Sequence, residues 1–504
     1  SNFIGRAISS TQLLLEEEVG NSMVGFSNGA ITKGKPVVMQ ADGDVAQAGL
    51  VASAISPGLG SIVTEEGYAS YNSTAFGKDG QRVTAYRGAT IGSNQYNLTL
   101  RVATVSTADL KTVTWSGEST VVQGTPAGLS GIGIIYHEDA DKYIVAWRGD
   151  SGYLYGCTLT VSGTGATATV SAGTQVALTS NNISGFKSNN MCYDTVNDFA
   201  ILIYLDSTPK TRSLDISGTN LTAGTVATIS TKSTSTYKTP VCAWNKYHGV
   251  VVYAYRDSSE DLYYNLATPN SNGTIPVSSS NEGTVDTVIN YNMNSTVMSC
   301  DPDSGETVII AYDGDNKKGQ GGSTIWGTSG TRSGFVITWG ALTQLSNVIG
   351  IDANTYGVTA LAPIENGKMI YIMGTQTSSP TLPYRGVYSI ITPSGTSISY
   401  GTVTAYSPQY TYGINYMSLG VDFDKTQALI VWQDEQSGEN DLRGITLLQS
   451  TQNGQTPNLT TENYLGIASD TVADNKNVLI DTQGAANPDQ SSLTAGQLYY
   501  VQTD

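Results

Sequence analysis

Charged and aromatic side chains follow the apolar runs of this chain at nearly regular intervals. The residues that these positions offer for ligand binding are Arg87, Arg148, Asp150, Asp206, Arg256, Asp257, Asp313 and Asp434, with Tyr406, Tyr410 and Tyr412 from a tyrosine-rich stretch. Fixed polar groups hydrogen-bond sugar hydroxyls, and aromatic rings pack against the CH faces of sugars. The side chains therefore indicate a saccharide-binding surface. The alternative is that the Asp residues close turns and pair with Arg, while Tyr fills strands.

Catalytic sets of the familiar kinds are not recognisable in the sequence. The two histidines, His137 and His248, fall in different repeats, and His/Cys spacing typical of a metal site is missing. We therefore predict no catalytic residues and no metal ligands. Glycoside hydrolysis needs only two carboxylates about 5–10 Å apart, and Arg87, Arg148 and Arg256 occupy equivalent repeat positions. A sialidase-like site stays open as an alternative.

A short acidic segment resembles the start of a calcium-binding loop. Asp313 and Asp315 are spaced like the first two ligands of such a loop, yet the Glu expected at the twelfth position is Thr324. Calcium at Asp313 and Asp315 is therefore an alternative to an ordinary Asp-Gly turn. No other cofactor is expected.

Seven β-branched runs, each closed by an aromatic residue or Met, must position these side chains. Their closing residues are 86, 147, 204, 255, 312, 373 and 432, so the steps are 61, 57, 51, 57, 61 and 59 residues. A nearly constant step built of strands is typical of a repeat architecture. We predict an all-β, seven-bladed β-propeller with four antiparallel strands per blade. The turns between second and third strands then share one face with the connections between blades.

The last repeat lacks a convincing fourth strand. The segment Ala52–Glu66, which precedes the first repeat, resembles a spare outer strand. We expect this N-terminal strand to complete blade seven and close the ring, which removes an exposed sheet edge. The predicted domains are residues 1–50, the propeller at 51–452, and residues 453–504, with the two flanks forming one small β module.

Composition limits the classes of partner. The 504 residues carry a net charge of −17, which argues against nucleic acid as a partner, and no apolar run is long enough for membrane insertion. The four cysteines are expected to be buried and not disulfide-bonded, because equivalent positions in neighbouring blades are too far apart. The best helix candidate is Ser10–Val19.

Two segments of the chain resemble known families. Asp301-Pro-Asp303-Ser-Gly305-Glu-Thr307-Val308 is similar to the Asp-box of sialidase-like propellers, a turn that serves folding. The flanks, with GAITKGKPVVMQADGDVA and YLGIASDTVADNKNVLIDTQG, resemble segments of virion structural proteins of tailed phages, especially marine and cyanobacterial phages. This second resemblance covers about 90 residues and implies a propeller inserted into an attachment module.

From these observations we expect a non-catalytic phage virion protein, of the tail-fibre or adhesin type, that recognises a saccharide or protein on the host surface. Expected partners are other virion proteins and the host-surface ligand, in a homo-oligomer made in the host cytoplasm and located in the virion. One alternative is a capsid-decoration or head-fibre protein, and another is a bacterial surface lectin. A further alternative is a polysaccharide-degrading propeller, either a glycoside hydrolase or sialidase-like.

Overall fold

The computed structural model describes most of the chain. The described residues are 2–9, 12–14, 22–65, 69–77, 80–90, 95–126, 130–149, 152–187, 190–232, 239–259, 261–286, 291–313, 324–346, 359–375, 385–408, 414–422, 424–434, 441–457, 463–482, 486–487 and 498–501. Within them the protein is all-β, with only short 3₁₀ segments such as Gly165–Thr167 and Ser279–Asn281. In this part of the chain, no helix is long and apolar enough to cross a membrane.

The chain divides into two compact units, of which one contains both flanks. It comprises Ser1–Ile55, Thr107–Leu110 and Thr451–Asp504. Its strands are β1 (Asn2–Ser9), β2 (Gln12–Leu14), β3 (Ser22–Phe26), β4 (Pro36–Met39), β5 (Val45–Gln47), β6 (Leu50–Ile55), β41 (Gln452–Pro457), β42 (Tyr464–Ala468), β43 (Asn477–Asp481), β44 (Ala486–Asn487) and β45 (Leu498–Val501).

Strands from the two flanks pair with each other throughout this unit. The sheet orders are β3-β43-β42-β4-β5, β44-β2-β1-β45 and β41-β6, all antiparallel between neighbours. Val37, Val45, Val478 and Ile480 form its apolar core, so neither flank buries its strands alone. The predicted β module is confirmed. The described part of the helix candidate Ser10–Val19 is not helical, because residues 12–14 form β2, which pairs with β1 and β44.

The second unit, Ser56–Ser106 with Lys111–Ser450, contains seven sheets, called blades one to seven. Blade one has β9 (Ser70–Phe76), β10 (Gln81–Thr90), β11 (Gln95–Val105), β12 (Val113–Trp115) and β13 (Ser119–Pro126). Blade two has β14 (Ser130–His137), β15 (Lys142–Arg148), β16 (Leu154–Ser162), β17 (Thr169–Ala172) and β18 (Val176–Ala177). Blade three has β19 (Met191–Asp194), β20 (Phe199–Asp206), β21 (Thr208–Ser217), β22 (Asn220–Ala223) and β23 (Ala227–Thr228).

The remaining blades follow the same order of strands. Blade four has β24 (Val241–Asn245), β25 (Val250–Arg256), β26 (Leu262–Ala267) and β27 (Gly283–Asp286). Blade five has β28 (Tyr291–Cys300), β29 (Thr307–Asp313), β30 (Thr324–Ser333), β31 (Val336–Trp339) and β32 (Thr343–Ser346). Blade six has β33 (Thr359–Ile364), β34 (Lys368–Thr375), β35 (Arg385–Ser394), β36 (Ser397–Tyr400) and β37 (Thr404–Ala405). Blade seven has β38 (Ile414–Val421), β39 (Gln427–Asp434), β40 (Asp441–Leu448), β7 (Gly58–Leu59) and β8 (Val63–Glu65).

The blades form a closed propeller. The first strand of each blade packs beside the first strand of the next, and β38 packs beside β9. The N-terminal strands β7 and β8 pair with β40, so the predicted closure of blade seven is confirmed. Of the predicted closing segment Ala52–Glu66, residues 52–55 instead belong to β6, which pairs with β41. In most blades the fourth strand is interrupted, and its two short pieces both pair with the third strand.

Apolar clusters between neighbouring blades form the core. The second strands are sandwiched there, and every residue of β25 and β39 is buried, which explains their almost uninterrupted apolar sequences. Cys192 and Cys242, on the first strands of blades three and four, are buried free thiols, as are Cys157 and Cys300.

Hairpin turns connect the first and second strands at the end of the blades opposite to the turns between second and third strands. In blade five, the Asp301 carboxylate accepts hydrogen bonds from the backbone N–H groups of Asp303 and Ser304, both at 3.2 Å. Asp422 in blade seven accepts in the same way from Thr426 and Gln427, at 2.8 and 2.9 Å. These carboxylates stabilise their own turns, as the likeness to the Asp-box predicts.

Candidate active site between blades seven and one

A network of ionisable side chains lies where blade seven meets blade one. Its centre is Arg101 on β11, and its other members are Tyr86 on β10, Glu65 at the end of β8, and Glu118 just before β13. We call these four residues the seam. Glu65 reaches this position because β8 is the N-terminal strand that completes blade seven, where it pairs with Leu442.

Strand register places Arg101 and Tyr86 together. Arg101 is opposite Thr84 and Tyr86 is opposite Thr99, so the two side chains are diagonal neighbours on one face of blade one. Tyr86 packs there in an apolar cluster with residues of blade seven, including Leu429. The network therefore lies on the face of blade one that is turned toward blade seven.

Arg101 contacts both carboxylates of the seam. Its Nη1 lies 2.8 Å from Glu65 Oε2 and its Nη2 lies 3.6 Å from Glu118 Oε1. It also donates hydrogen bonds to the Ser116 carbonyl, at 2.8 Å, and to the Tyr86 hydroxyl, at 3.1 Å. Because every contact leads to an acceptor, the guanidinium is fixed in one orientation.

Protonation states in the seam follow from burial and charge. Burial lowers the pKa of Arg101, but the Tyr86 hydroxyl and then the two carboxylates outweigh it, so the net shift is upward and the group stays charged. Burial, and next the Glu118 carboxylate, raise the pKa of Tyr86 well above its usual range. The Tyr86 hydroxyl thus stays protonated and donates a 2.8 Å hydrogen bond to Glu118.

The two carboxylates are accessible, whereas the cation between them is not. The side chains of Glu65 and Glu118 are 28% and 48% exposed, and that of Arg101 is 11% exposed. Carboxylates that share one guanidinium lie within about 9 Å of each other, which does not exceed the upper limit of roughly 9.5 Å for the catalytic carboxylates of glycosidases. The seam can therefore supply two carboxylates to one glycosidic bond.

Aromatic side chains lie beside the seam. The Arg87 guanidinium, next in sequence to Tyr86, lies 4.7 Å from the centroid of the Tyr71 ring and 4.1 Å from that of Tyr96. Its Nε also donates to Ser70 Oγ at 2.8 Å. The ring of Tyr416, on the first strand of blade seven, lies 4.5 Å from the Tyr71 ring between centroids. This end of blades one and seven thus combines aromatic surface with charge, as sugar binding requires.

Several of the predicted ligand-binding carboxylates are engaged within their own hairpins. Asp206 forms an ion pair with Lys210 at 3.1 Å. Asp257 accepts hydrogen bonds from the backbone N–H groups of Ser259 and Asp261, at 2.9 and 3.2 Å. Both contacts are those of residues that close turns.

Asp434 is at the end of β39 in blade seven. It is 1% exposed, and its Oδ2 lies 2.7 Å from Nε of Arg443. Asp441 is its direct partner across the strands, so two buried carboxylates face each other near the seam. Tyr406 is also buried, and its ring lies 5.2 Å from that of Trp432 in the core between blades six and seven.

The remaining predicted residues are dispersed around the ring. Arg148 donates to the Ile183 carbonyl at 3.0 Å, and Arg256 is 3% exposed at the end of β25. Asp313 ends strand β29, but its side chain is outside the described part of the structure. The other predicted residues outside the described part are Asp150, Tyr410, Tyr412 and Asp315. Of the predicted set, Arg87 and Asp434 lie in the two blades that form the seam.

Sequence reasoning missed the seam, although one signal was available. Glu282 directly precedes the outer strand β27 of blade four, as Glu118 precedes β13, and it accepts a 2.6 Å hydrogen bond from Tyr255. Tyr255 and Tyr86 are both closing residues of the repeat. An alignment of the repeats that continues past the closing tyrosines would have matched Glu118 with Glu282.

No group of three or more His, Cys, Asp or Glu residues in the described ranges could hold a metal ion. The side chains at Asp313 and Asp315, where calcium was considered, are outside those ranges.

Comparisons with known proteins show the fold. No family model matches the chain, and no curated protein sequence matches it. The solved structures that resemble it include a Trypanosoma rangeli sialidase in complex with the inhibitor DANA, at 10% identity and TM-score 0.40, covering 84% of this chain and 59% of the sialidase. A Penicillium chrysogenum alpha-L-arabinanase complexed with arabinobiose has 12% identity and TM-score 0.39, covering 78% and 99%. The polysaccharide lyase Uly1 has 8% identity and TM-score 0.44, covering 76% and 90%.

These comparisons correct the functional prediction. The three structures are named as enzymes of carbohydrate chemistry, and none is named as a virion protein. The prediction of a non-catalytic recognition protein is therefore wrong, and the alternative of a polysaccharide-degrading propeller is the better supported one. These comparisons do not test a location in the virion. Since likeness at such low identity shows the fold alone, the function has to be argued from the seam itself.

Proposed function

We propose that the propeller is a polysaccharide-degrading enzyme, a glycoside hydrolase, whose catalytic carboxylates are Glu65 and Glu118. The observation that carries this proposal is the pair of accessible carboxylates on one buried guanidinium, at 2.8 and 3.6 Å. Two carboxylates at such a separation are the minimum that hydrolysis of a glycosidic bond requires.

The contacts of the two carboxylates suit different roles. Glu65 has the shorter contact with Arg101, which orients it to attack the anomeric carbon or to activate water. Glu118 is more exposed and has the longer contact, so it is assigned as the acid for the leaving oxygen. Tyr86 fixes the position of Glu118 by its hydrogen bond.

Arg101 and the nearby tyrosines have different roles in the proposed site. Arg101 contacts both carboxylates and is shielded from water, so it keeps the Glu65 carboxylate oriented without itself needing to bind the sugar. The tyrosines beside Arg87 offer flat surface on which the neighbouring sugar residues of a polymer pack. The seam therefore fits a chain of sugars better than a small free sugar.

Reducing-end release from a panel of soluble polysaccharides tests this proposal. The panel contains arabinan, xylan, galactan, mannan, laminarin, alginate and bacterial capsular polymers. We expect the full chain to cleave at least one of them, and Glu118→Gln or Glu65→Gln to lower the rate by about 10²- to 10⁴-fold.

Glu282→Gln is the matched control. Glu282 makes the same contact with a closing tyrosine in blade four, but its cation is Lys232, at 3.4 Å. This variant should retain the wild-type rate. Full activity of both seam variants, or cleavage of no polymer in the panel, would refute the proposal.

A further inference from the structure

The side chain of Asn72 is buried and has no hydrogen-bond partner in the part of the chain that the structure describes. Asn72 is on β9, the first strand of blade one, and is 3% exposed. Neither Oδ1 nor Nδ2 is hydrogen-bonded to any described residue. An unsatisfied buried polar group costs about 1–3 kcal/mol, and the large majority of such groups in proteins are paired. This amide is therefore suited to a partner from outside the chain.

Strand geometry places Asn72 beside the tyrosines described above. Thr74, two residues further along β9, hydrogen-bonds Ser418 of β38 between hydroxyl oxygens at 2.8 Å. Residues two apart on a strand share a face, so Asn72 is on the face of β9 that is turned toward β38. Tyr416 precedes Ser418 by two residues, and its ring contacts that of Tyr71.

The two tyrosines form an aromatic surface at this end of the first strands. Tyr71 and Tyr416 are both half-buried and both have left-handed backbone, with φ of 55° and 46°. Each falls at an irregularity in its strand pairing, between Ala85 and Arg87 of β10 for Tyr71 and between Asn415 and Ser418 for Tyr416. The bulges turn both rings away from the regular alternation of their strands, toward each other.

We infer that Asn72, Tyr71 and Tyr416 form a sugar-binding subsite next to the seam, which rests on the proposed function and specifies how its polymer is held. The primary amide of Asn72 has one acceptor and two donor hydrogens, which matches two adjacent hydroxyl groups on one sugar ring. The Tyr71 and Tyr416 rings supply the apolar surface against which the CH face of that sugar packs. The ligand is thus a neutral sugar residue with vicinal hydroxyls.

Strand register links this subsite to the seam. Ser73 pairs with Ala85 and Ser70 with Arg87, so Tyr71 and Asn72 lie opposite Tyr86, whose hydroxyl donates to Glu118. The bound polymer therefore passes from the Tyr71–Tyr416 pair at the inner strands toward Glu118 at the seam. A sugar held by Asn72 belongs to the same chain whose bond is cleaved.

Affinity electrophoresis tests the subsite without depending on catalysis. The full chain carrying Glu118→Gln is run in gels that contain arabinan, xylan, galactan, mannan or laminarin, and the dissociation constant is taken from its retardation. We expect retardation by at least one neutral polymer. Adding Asn72→Leu should weaken binding to that polymer 10- to 100-fold and leave the melting temperature unchanged or higher.

Two further changes separate the subsite from a structural role. Tyr416→Ala should weaken binding, whereas Tyr416→Phe should retain it, because the ring and not the hydroxyl packs on the sugar. Thr296→Val is the matched control, since Thr296 on β28 is 2% exposed and its hydroxyl also has no described partner. It should leave binding unchanged.

The outcomes distinguish the subsite from the proposed function. Weaker binding by Asn72→Leu supports the subsite even if no polymer is cleaved, in which case only the hydrolase proposal fails. Unchanged binding by Asn72→Leu overturns the subsite and means that the amide is satisfied by ordered water. Absence of retardation in every gel overturns the subsite as well, whatever the reducing-end assay gives.

Discussion

Replacing Arg101 by Met removes the centre of the seam and should destabilise the propeller. The substitution leaves the Ser116 carbonyl, in a residue 1% exposed, without the donor that now lies 2.8 Å away. An unsatisfied buried acceptor costs about 1–3 kcal/mol. Loss of the contact with Glu65, which is 28% exposed, adds only about 0–1 kcal/mol because water replaces the cation. We expect a loss of about 2–3 kcal/mol in the free energy of unfolding.

Glu118→Gln should have a much smaller effect on stability. The Gln oxygen still accepts the hydrogen bond from Tyr86, and the charge that is lost was 48% exposed and 3.6 Å from Arg101. A loss below about 1 kcal/mol is expected. Guanidinium unfolding followed by tryptophan fluorescence measures both variants, since all six tryptophans belong to the propeller unit. An Arg101→Met variant within about 0.5 kcal/mol of wild type would refute the account of this network.

Three further predictions follow from burial and backbone geometry. Burial raises the pKa of both Cys157 and Cys300 to about 12, so neither thiol should react with a disulfide reagent at pH 8 until the protein is unfolded; fast labelling of the folded protein would contradict this. Burial lowers the pKa of Lys187 to about 7. Between about pH 7 and 10 the unfolded chain therefore binds a proton that the folded protein has released. The free energy of unfolding should rise with pH in this interval, by at most about 1.4 kcal/mol per pH unit. Lys187→Met should remove that slope, and a wild-type curve already flat there would count against it. Gly131→Ala should destabilise the protein by more than about 2 kcal/mol, because Gly131 has φ +66° and a Cβ there would lie 1.9 Å from a backbone oxygen. Gly165 has φ +59° but lies in open space, so Gly165→Ala should destabilise by only about 1 kcal/mol. Equal melting temperatures for the two glycine variants would contradict the steric argument.

The fold was predictable because its strongest signal is local. A second strand buried between two blades has an apolar central run, as β25 and β39 do, and seven such runs with a nearly constant step predict the propeller directly. The closure by β7 and β8 was predictable because the last repeat lacks a fourth strand and a spare strand precedes the first repeat.

The site was less predictable because it depends on contacts between distant segments. Glu65 and Arg101 belong to different blades, and only the register of β8 on β40 brings them within 2.8 Å. Local signals also failed at Ser10–Val19, where pairing with β1 and β44 overrides helix propensity in residues 12–14. Asp257 accepts a backbone hydrogen bond in its own turn, and its role as a ligand stays a prediction, because sequence alone does not distinguish a carboxylate that closes a turn from one that faces a ligand.

Expectations that rest on the flanks stay predictions. These are the resemblance to virion proteins of tailed phages, attachment to other virion proteins, a homo-oligomer, and location in the virion. Immunogold labelling of purified phage particles with antibody against residues 53–450 would test them. Label on particles is the predicted result, and its absence would contradict a virion location.

The most direct test of the central claim is a crystal structure of the Glu118→Gln variant with an oligosaccharide of the polymer that the wild-type protein cleaves. We predict a glycosidic oxygen within about 2.6–3.2 Å of the side-chain amide that this substitution introduces, with the Glu65 carboxylate on the opposite side of the sugar. An oligosaccharide bound elsewhere on the propeller, with no sugar between Glu65 and the substituted side chain, would contradict the claim.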